Sequence, residues 1–97
     1  MLARVARYGV PPDRCDDAVK AFLDSAQEIA AIDGFGRGYL LVDSETGATV
    51  TLTLWESHAA FETSATVAAL ARRRAVDAVD GEVEWVQAFD VVRMFGE

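Results

Sequence analysis

Between residues 16 and 32, in the segment DDAVKAFLDSAQEIAAI, apolar side chains recur at intervals of three and four. This spacing places them on one stripe and predicts an amphipathic helix. The stripe consists of Val19, Phe22, Leu23, Ala26, Ile29 and Ala30. We expect Asp13 to cap the N-terminus of this helix. The helix should end in the segment DGFGRG, where Gly34, Gly36 and Gly38 can adopt positive φ values.

Four other segments combine β-branched and aromatic residues in patterns that are typical of strands. They are residues 2–10, 38–43, 48–55 and most of 82–95. The second and third are separated by SETG, which predicts a hairpin with its turn ending at Gly47. The third strand alternates strictly, so Val50, Leu52 and Leu54 should face one side while the threonines and Trp55 face the other.

A second helical segment is expected between Ser57, which can act as its N-cap, and Gly81. The segment ETSAT can interrupt it, because Thr63, Ser64 and Thr66 compete for backbone hydrogen bonds. The resulting βαββαβ order is that of an α+β, ferredoxin-like fold, in which an antiparallel sheet carries two helices on one face. A chain of 97 residues is expected to form one domain, residues 1–97.

The other face of such a sheet has no predicted cover. The final strand is apolar on both sides, which is unusual for a strand with one face in water. One side carries Val83, Trp85, Phe89, Val91 and Phe95, and the other carries Val86, Ala88, Val92 and Met94. Apolar residues also make up 52% of the whole chain. Both observations favour a homodimer in which two sheet faces stack to form a barrel-like core.

Charge and residue usage narrow the possible partners. The chain has 9 Lys and Arg against 16 Asp and Glu, a net charge of −7, which disfavours nucleic acid and anionic membranes as partners. The longest apolar runs fall short of the roughly 20 residues that a membrane-spanning helix needs, so we expect a cytoplasmic protein. With one cysteine, Cys15, and one histidine, His58, neither a disulfide framework nor a single-chain metal site is expected.

The segment LTLWESHAAFETS ends a strand at Trp55, turns at Glu56 and Ser57, and places Ala60 and Phe61 in the next helix. Together with the element order, it resembles the antibiotic biosynthesis monooxygenase family of dimeric α+β barrels. The order and length of the elements extend this resemblance over nearly the whole chain, whereas the specific residue signal is confined to this short segment. The family includes cofactor-independent monooxygenases of anthrones or quinols, haem-degrading enzymes and proteins of unknown role.

The resemblance implies a site between the sheet and the helices. In the polyketide monooxygenases the tryptophan that matches Trp55 lines a pocket, and an asparagine four residues earlier helps to hold the substrate oxygen; here that position is Thr51. A threonine offers one hydroxyl donor, so stabilisation of a developing enolate would be weaker than with asparagine. The resemblance thus implies Trp55 and Thr51 as catalytic residues, with no cofactor. The implied substrate-binding residues are Tyr8, Phe22, Thr53, His58 and Phe61.

Three functions remain open. The leading hypothesis is a cofactor-independent monooxygenase of a small aromatic substrate, an anthrone, phenol or quinol. The alternative is a non-enzymatic module of the same dimeric fold that binds a small ligand or another protein. A haem-binding or haem-degrading protein is the third, but the family's iron-ligating histidine would fall near Ala65, and His58 lies only three residues after Trp55. Thr51 exposed to open solvent would be inconsistent with an enzyme.

Each candidate residue also has a purely structural interpretation. Trp55 could be a core aromatic, Tyr8 a half-buried strand residue and His58 a surface residue of the first helical turn. Cys15 is expected to be an inert thiol, because the nearby aspartates oppose thiolate formation. Residues 72–74 are three consecutive arginines, which 100° steps spread around a helix. One of them could reach an anionic substrate at the mouth of a pocket, and another could pair with Asp77.

Overall fold

In the computed structural model, which describes residues 1–96, four antiparallel strands form one sheet and the helices pack on one of its faces. The strands are β1 (Leu2–Gly9), β2 (Phe35–Val42), β3 (Ala48–Trp55) and β4 (Glu82–Asp90), in the spatial order β2-β3-β1-β4. The helices are α1 (Cys15–Ala30), α2 (His58–Thr63) and α3 (Ala65–Asp77). This confirms the predicted ferredoxin-like α+β fold. The predicted second helix is two helices that meet at Ser64, within the segment expected to interrupt it.

The strand register decides which side chains face the helices. Tyr8 of β1 lies opposite Thr49 of β3, and Ala6 lies opposite Thr51. Tyr8, Ala6 and Thr49 are all buried, so this face of the sheet lies under the helices. The threonines of β3 therefore face the helices, and the leucines of β3 face the opposite side.

The hydrophobic core lies between this face and helices α1 and α3. The rings of Tyr8 and Phe22 pack with their centroids 4.7 Å apart. Small residues such as Ala18 and Ala75 are almost fully buried and let the helices approach the sheet closely. The two helices are also tied to each other, because Ser25 Oγ of α1 donates a hydrogen bond of 3.1 Å to the carbonyl oxygen of Ala71 in α3.

The opposite sheet face is mostly apolar, with Arg7 and Gln87 among its side chains, and carries no helix within residues 1–96. Its centre is formed by Val50, Leu52 and Leu54, which are half-buried. Leu41 and Trp85 flank them with 54% and 44% of their surface exposed. Separately, none of the helices in the described chain is long and apolar enough to cross a membrane.

Two local predictions near α1 are wrong. Asp13 does not cap the helix: Pro12–Arg14 forms a short 3-10 turn, and Arg14 occupies the N-cap position without a side-chain cap bond. The turn forms because the Arg14 N–H bonds to the Pro11 carbonyl oxygen at 2.8 Å, which leaves Asp13 inside it. Of the three glycines in the segment DGFGRG, only Gly34 has a positive φ, of 85°.

Gly36 and Gly38, the other two glycines expected to turn the chain, lie within β2, which begins at Phe35 and therefore earlier than predicted. A register shift between Phe35 and Arg37 accommodates Gly36, whereas Gly38 pairs regularly with Thr53. Both positions are crowded: a Cβ on Gly36 would lie 3.1 Å from the Leu54 carbonyl oxygen, and one on Gly38 would lie 3.3 Å from Phe35 Cζ. These glycines therefore serve close packing instead of chain reversal.

The last strand is shorter than predicted. β4 ends at Asp90, whereas the apolar pattern extends to residue 95. Its neighbour β1 begins at Leu2, which pairs with Asp90, and the Val91 N–H bonds to the Met1 carbonyl oxygen. The pairing of β4 with β1 ends at the Leu2–Asp90 pair, and residues 91–96 lie outside the sheet.

The β2–β3 turn depends on one glycine. Gly47 has φ 80°, and its carbonyl oxygen accepts a hydrogen bond of 3.1 Å from the Val10 N–H. A Cβ at this position would lie only 1.9 Å from the Val10 carbonyl oxygen. The turn therefore packs against the end of β1 in a way that only glycine allows.

We expect Gly47→Ala to lower the free energy of unfolding by about 3 kcal/mol, because it combines a strained φ with a backbone clash. Urea denaturation measures this change. Gly96→Ala is the control, since Gly96 has a similar φ of 86° but no atom within 4 Å of the added Cβ. A Gly47→Ala variant as stable as Gly96→Ala would contradict this account of the turn.

Candidate functional site

A cavity of about 320 Å³ lies between α1, α3 and the helix-covered face of the sheet. This volume falls within the range of small-molecule sites, roughly 300–1,000 Å³. Most of the lining is apolar and includes Phe22, Ala26 and Ile29 of α1 and Leu40 of β2. The polar side chains of the lining are Arg4, Tyr8, Ser25, Tyr39, Thr51, Thr53 and Arg72.

The cavity exists because the apolar stripe of α1 is only partly packed into the core. Phe22 is buried against Tyr8, but Leu23 keeps 54% of its surface exposed. Ala26 and Ile29 follow on the lining, and Ala26 leaves space where a larger side chain would fill the gap. The second half of the predicted stripe therefore bounds a cavity as well as contributing to stability.

Two hydroxyl groups meet on the sheet side of the cavity. Tyr8 Oη and Thr51 Oγ1 are 2.8 Å apart, and either can be the donor. Burial raises the pKa of Tyr8, and the Thr51 hydrogen bond and the charge of Arg72 oppose this only in part. Tyr8 is therefore a neutral phenol at physiological pH. The pair has two hydroxyl hydrogens, and the hydrogen bond between Tyr8 and Thr51 uses one of them. The other can therefore form a hydrogen bond to a ligand oxygen.

Arg4 of β1 supplies a buried cation at the same cavity, with 7% of its surface exposed. Its guanidinium carbon lies 4.2 Å from the centroid of the Phe61 ring and 5.6 Å from that of Trp55. It donates hydrogen bonds to Ser64 Oγ at 3.2 Å and to the Phe61 carbonyl oxygen at 2.7 Å. Burial, and secondarily the charge of Arg72, lower the pKa of Arg4. A guanidinium nevertheless keeps its charge in proteins, so Arg4 is a cation next to the cavity.

Trp55 is fully buried behind the cavity and is absent from its lining. Its indole Nε1 donates a hydrogen bond of 2.9 Å to Thr53 Oγ1, and its ring meets Phe35 edge-on, with the centroids 5.5 Å apart. Trp55 thus contacts three groups of the lining, Thr53, Phe35 and Arg4. Phe61 is in a similar position, half-buried under Arg4 and outside the lining.

His58 lies apart from the other candidate residues. It is exposed in the first turn of α2 and is not part of the cavity lining. Ser57 precedes it as the N-cap, accepting a hydrogen bond of 3.1 Å from the Ala60 N–H, which confirms the predicted start of this helix. Of the seven candidate residues, the structure brings together Tyr8, Phe22, Thr51 and Thr53 on the lining.

Sequence reasoning missed Arg4 as a site residue. The sequence signal for Arg4 was its place in the alternating row Leu2, Arg4, Ala6 and Tyr8 of β1, where it is the one charged side chain on the helix-covered face.

The arginines of α3 point in different directions, as their 100° steps predict. Arg72 lines the cavity, Arg73 pairs with Asp77 at 3.8 Å, and Arg74 bonds to Glu28.

The buried Tyr8 predicts a pH dependence of stability. Because folding raises the pKa of Tyr8 above the ordinary tyrosine value of 10.0, its contribution is complete below pH 10 and is lost as the pH rises through the folded-state value. Tyr8→Phe should cost about 1 kcal/mol at pH 7, through the lost bond to Thr51. This difference should shrink above pH 10 in urea denaturation.

The control for this experiment is Tyr39→Phe, which alters a half-exposed tyrosine of β2. The difference in the free energy of unfolding between Tyr39→Phe and the wild type should not shrink above pH 10 in the way expected for Tyr8→Phe. Parallel pH profiles of Tyr8→Phe and the wild type would refute the assignment to Tyr8.

Comparison with known proteins identifies the family. The family model of the antibiotic biosynthesis monooxygenases matches residues 1–73, a range that includes every polar residue of the cavity lining. No curated protein shows a significant sequence match to this chain.

Solved structures share the fold over almost the whole chain. SnoaB, a cofactor-independent oxygenase from Streptomyces nogalater, is 23% identical with a TM-score of 0.74, covering 99% of this chain and 97% of its own. The heme-degrader MhuD from Mycobacterium tuberculosis is 24% identical with a TM-score of 0.76, covering 99% and 100%. A candidate antibiotic biosynthesis monooxygenase from Deinococcus radiodurans is 15% identical with a TM-score of 0.77, covering 100% and 98%. At these sequence identities the solved structures show a shared fold alone. The match of the family model over residues 1–73 shows that the chain belongs to the antibiotic biosynthesis monooxygenase family.

Proposed function

We propose that this protein is a cofactor-independent monooxygenase that binds a small aromatic substrate, an anthrone, phenol or quinol, in the cavity beneath α1 and α3. The observation that carries this proposal is the Tyr8–Thr51 hydroxyl pair, 2.8 Å apart, in a mostly apolar cavity that is also lined by two arginines. Family membership supports the reaction class, and SnoaB is a relative of the same fold named as a cofactor-independent oxygenase.

The proposed reaction requires little from the protein beyond binding the substrate and stabilising its negative charge. A phenolate or an anthrone carbanion is electron-rich enough to reduce O₂ itself, so the site has to favour the deprotonated substrate, hold its ring and exclude water. One oxygen atom of O₂ ends in the product carbonyl and the other in water. The apolar residues of α1 and β2 suit the ring, and the positive charges of Arg4 and Arg72 stabilise negative charge on the substrate.

Thr51 and Tyr8 would act on the substrate oxygen together. A threonine alone has one donor where the related polyketide enzymes have an asparagine. In this chain Tyr8 adds a second hydroxyl at hydrogen-bond distance from Thr51, and its raised pKa keeps it protonated. The pair can therefore donate one hydrogen bond to an enolate oxygen while the hydrogen bond between Tyr8 and Thr51 is kept.

Trp55 and Phe61 are proposed as positioning residues. Trp55 bonds to Thr53 and packs near Arg4, and Phe61 packs against the Arg4 guanidinium. Both would act through the groups that they hold at the cavity. Phe22 and Thr53 would contact the substrate directly, since both line the cavity. His58 has no role in this proposal.

We also propose that two chains associate through the apolar sheet face that carries Val50, Leu52 and Leu54. These side chains point away from the helices, and exposed apolar residues of β2 and β4 surround them. A contiguous apolar face of this kind is typical of an interface between subunits.

The cavity lining distinguishes this proposal from the haem hypothesis, whereas only turnover distinguishes it from the binding module. Haem iron is usually ligated by histidine, cysteine or methionine, and none of these residues lines the cavity. Tyrosinate is a further ligand type, but the raised pKa of Tyr8 opposes its formation. The lining therefore does not fit haem. A non-catalytic ligand-binding module would share the cavity and differ in its lack of turnover.

Oxygen uptake with a panel of anthrones and hydroquinones tests the reaction. The wild type should consume O₂, and Thr51→Val should lower kcat by about 10- to 100-fold, as expected for loss of an oxyanion donor. Trp55→Phe should reduce kcat less, because it disturbs Thr53 without removing a donor that contacts the substrate. Thr66→Val, on the exposed surface of α3, is the matched control and should retain full activity.

If the wild type shows saturable binding of these compounds but consumes no O₂ with any of them, the monooxygenase proposal fails and the binding module is favoured. Equal kcat values for Thr51→Val and Thr66→Val would remove the proposed role of Thr51.

Light scattering after gel filtration tests the association. The wild type should have twice the chain mass of 10.5 kDa. Leu52→Lys places a charge at the centre of the apolar sheet face and should shift the mass toward that of one chain. Leu70→Lys, on the exposed surface of α3, should leave the mass unchanged. A wild type with the mass of one chain at micromolar concentration would contradict the proposal, and circular dichroism verifies that each variant is folded.

A further inference from the structure

The cavity concentrates positive charge in a protein that is strongly acidic. The net charge of the chain is −7, yet among residues 1–96 the lining contains two arginines and neither aspartate nor glutamate. Four other arginines pair with carboxylates: Arg7, Arg14, Arg73 and Arg74. By contrast, neither Arg4 nor Arg72 forms an ion pair with any residue between 1 and 96. The other two arginines without an ion pair in this range, Arg37 and Arg93, are not part of the lining. The distribution of partners therefore leaves two cations at one apolar cavity.

Arg4 has hydrogen-bonding capacity to spare. A guanidinium has five N–H donors, and the two partners of Arg4 within the described chain, Ser64 Oγ and the Phe61 carbonyl oxygen, are both neutral. A buried cation without a counter-charge is costly, and contacts with aromatic rings offset that cost only in part. An anion in the cavity would supply the missing counter-charge.

Arg72 approaches the same region from the opposite side. It projects from α3 and is partly buried, whereas Arg4 comes from the central strand of the sheet. Arg4, Arg72 and Tyr8 line the same cavity, and the apolar residues of α1 and β2 form much of the remaining lining. In agreement with this placement, the charge of Arg72 lowers the pKa of Arg4 and opposes the rise in the pKa of Tyr8.

We propose that this cavity selects aromatic oxyanions, with a carboxylate or an ionised phenol held between Arg4 and Arg72 and the ring against the apolar lining. The planar guanidinium suits both anions, because it presents parallel N–H donors to their oxygens. Arg72 is then a specificity-determining residue: it distinguishes the anion from a neutral molecule of the same shape. The proposal rests on the proposed function in that it assigns the same cavity to an aromatic ligand, and it adds the charge of that ligand.

The carboxylate is tested with two probes of matched size, 2-naphthoate and 2-naphthamide, by isothermal titration of the full chain. The wild type should bind 2-naphthoate at least about tenfold more tightly than 2-naphthamide, as expected for charge-assisted hydrogen bonds in a site of low dielectric constant. Arg72→Gln should remove most of this preference and leave the affinity for 2-naphthamide nearly unchanged. Arg73→Gln is the control, since Arg73 is the next residue of α3 but pairs with Asp77 on the exposed side.

Arg72 is the residue to replace because Arg4 also bonds to Ser64 and Phe61, so its replacement can unfold the chain. Equal affinity of the wild type for the two probes overturns the proposal. A preference for 2-naphthoate that survives in Arg72→Gln also overturns it. The same holds if neither 2-naphthoate nor 2-naphthamide shows saturable binding.

The ionised phenol is tested with 4-nitrophenol, whose anion is identified by its visible absorbance. Binding to the wild type should lower the pKa of the probe by about one unit, which corresponds to a tenfold preference for the anion. Arg72→Gln should restore the pKa of the free probe, whereas Arg73→Gln should behave as the wild type does. A bound probe with an unchanged or raised pKa would show that the cavity does not hold phenolates, and would restrict the proposal to carboxylates if 2-naphthoate is preferred.

These measurements separate the two proposals. Preference for 2-naphthoate without O₂ consumption from any anthrone or hydroquinone supports the oxyanion site and contradicts the monooxygenase. O₂ consumption together with equal binding of 2-naphthoate and 2-naphthamide supports the monooxygenase and contradicts the oxyanion site.

Discussion

The pairing of β1 with β3 controls the rest of the molecule. β1 lies between β3 and β4, and its register with β3 places Ala6 opposite Thr51 and Tyr8 opposite Thr49. Because side chains alternate along a strand, a slip by one residue would turn the whole row of β1 to the other face. The core, the cavity and the hydroxyl pair would then be lost together. The turn at Gly47, which packs against the end of β1, helps to hold this register.

The two faces of β3 connect the proposed site with the proposed assembly. Thr51 lines the cavity, and the next residue, Leu52, points to the apolar face that we propose as the interface. The strand is therefore constrained on both sides. The buried cation Arg4 adds a second constraint, since aromatic rings and neutral acceptors from α2 and its neighbours hold it in place. In a site of low dielectric constant, groups held in this way interact strongly with a charged ligand.

Much of the fold could be predicted because its signals are local and periodic. The stripe of α1, the alternation of β3, the cap at Ser57 and the interruption near Ser64 each depend on residues close in sequence. Local rules were wrong where a neighbouring segment competed. Pro11 and Pro12 start a 3-10 turn that displaces the helix from Asp13, and the pairing of β4 with β1 ends at the Leu2–Asp90 pair although the apolar pattern continues. The pattern alone favoured threonines that face solvent and leucines that pack on the helices. The family resemblance carried by Trp55 and its neighbours reversed this expectation, and the structure has the threonines on the helix-covered face.

The sequence by itself determined the order of the elements, the alternation of β3 and the presence of Tyr8, Phe22, Thr51 and Thr53 on strands and a helix that could share a site. Only the tertiary structure decided that Arg4 and Arg72 reach the same cavity, that Trp55 lies behind it and that His58 lies outside it. Arg4 and Arg72 are far apart in the chain, and what brings them together is the packing of α3 over the helix-covered face of the sheet. Periodicity shows which side of its own element a residue occupies. Which residues of two distant elements meet depends on packing between them, which no local pattern encodes.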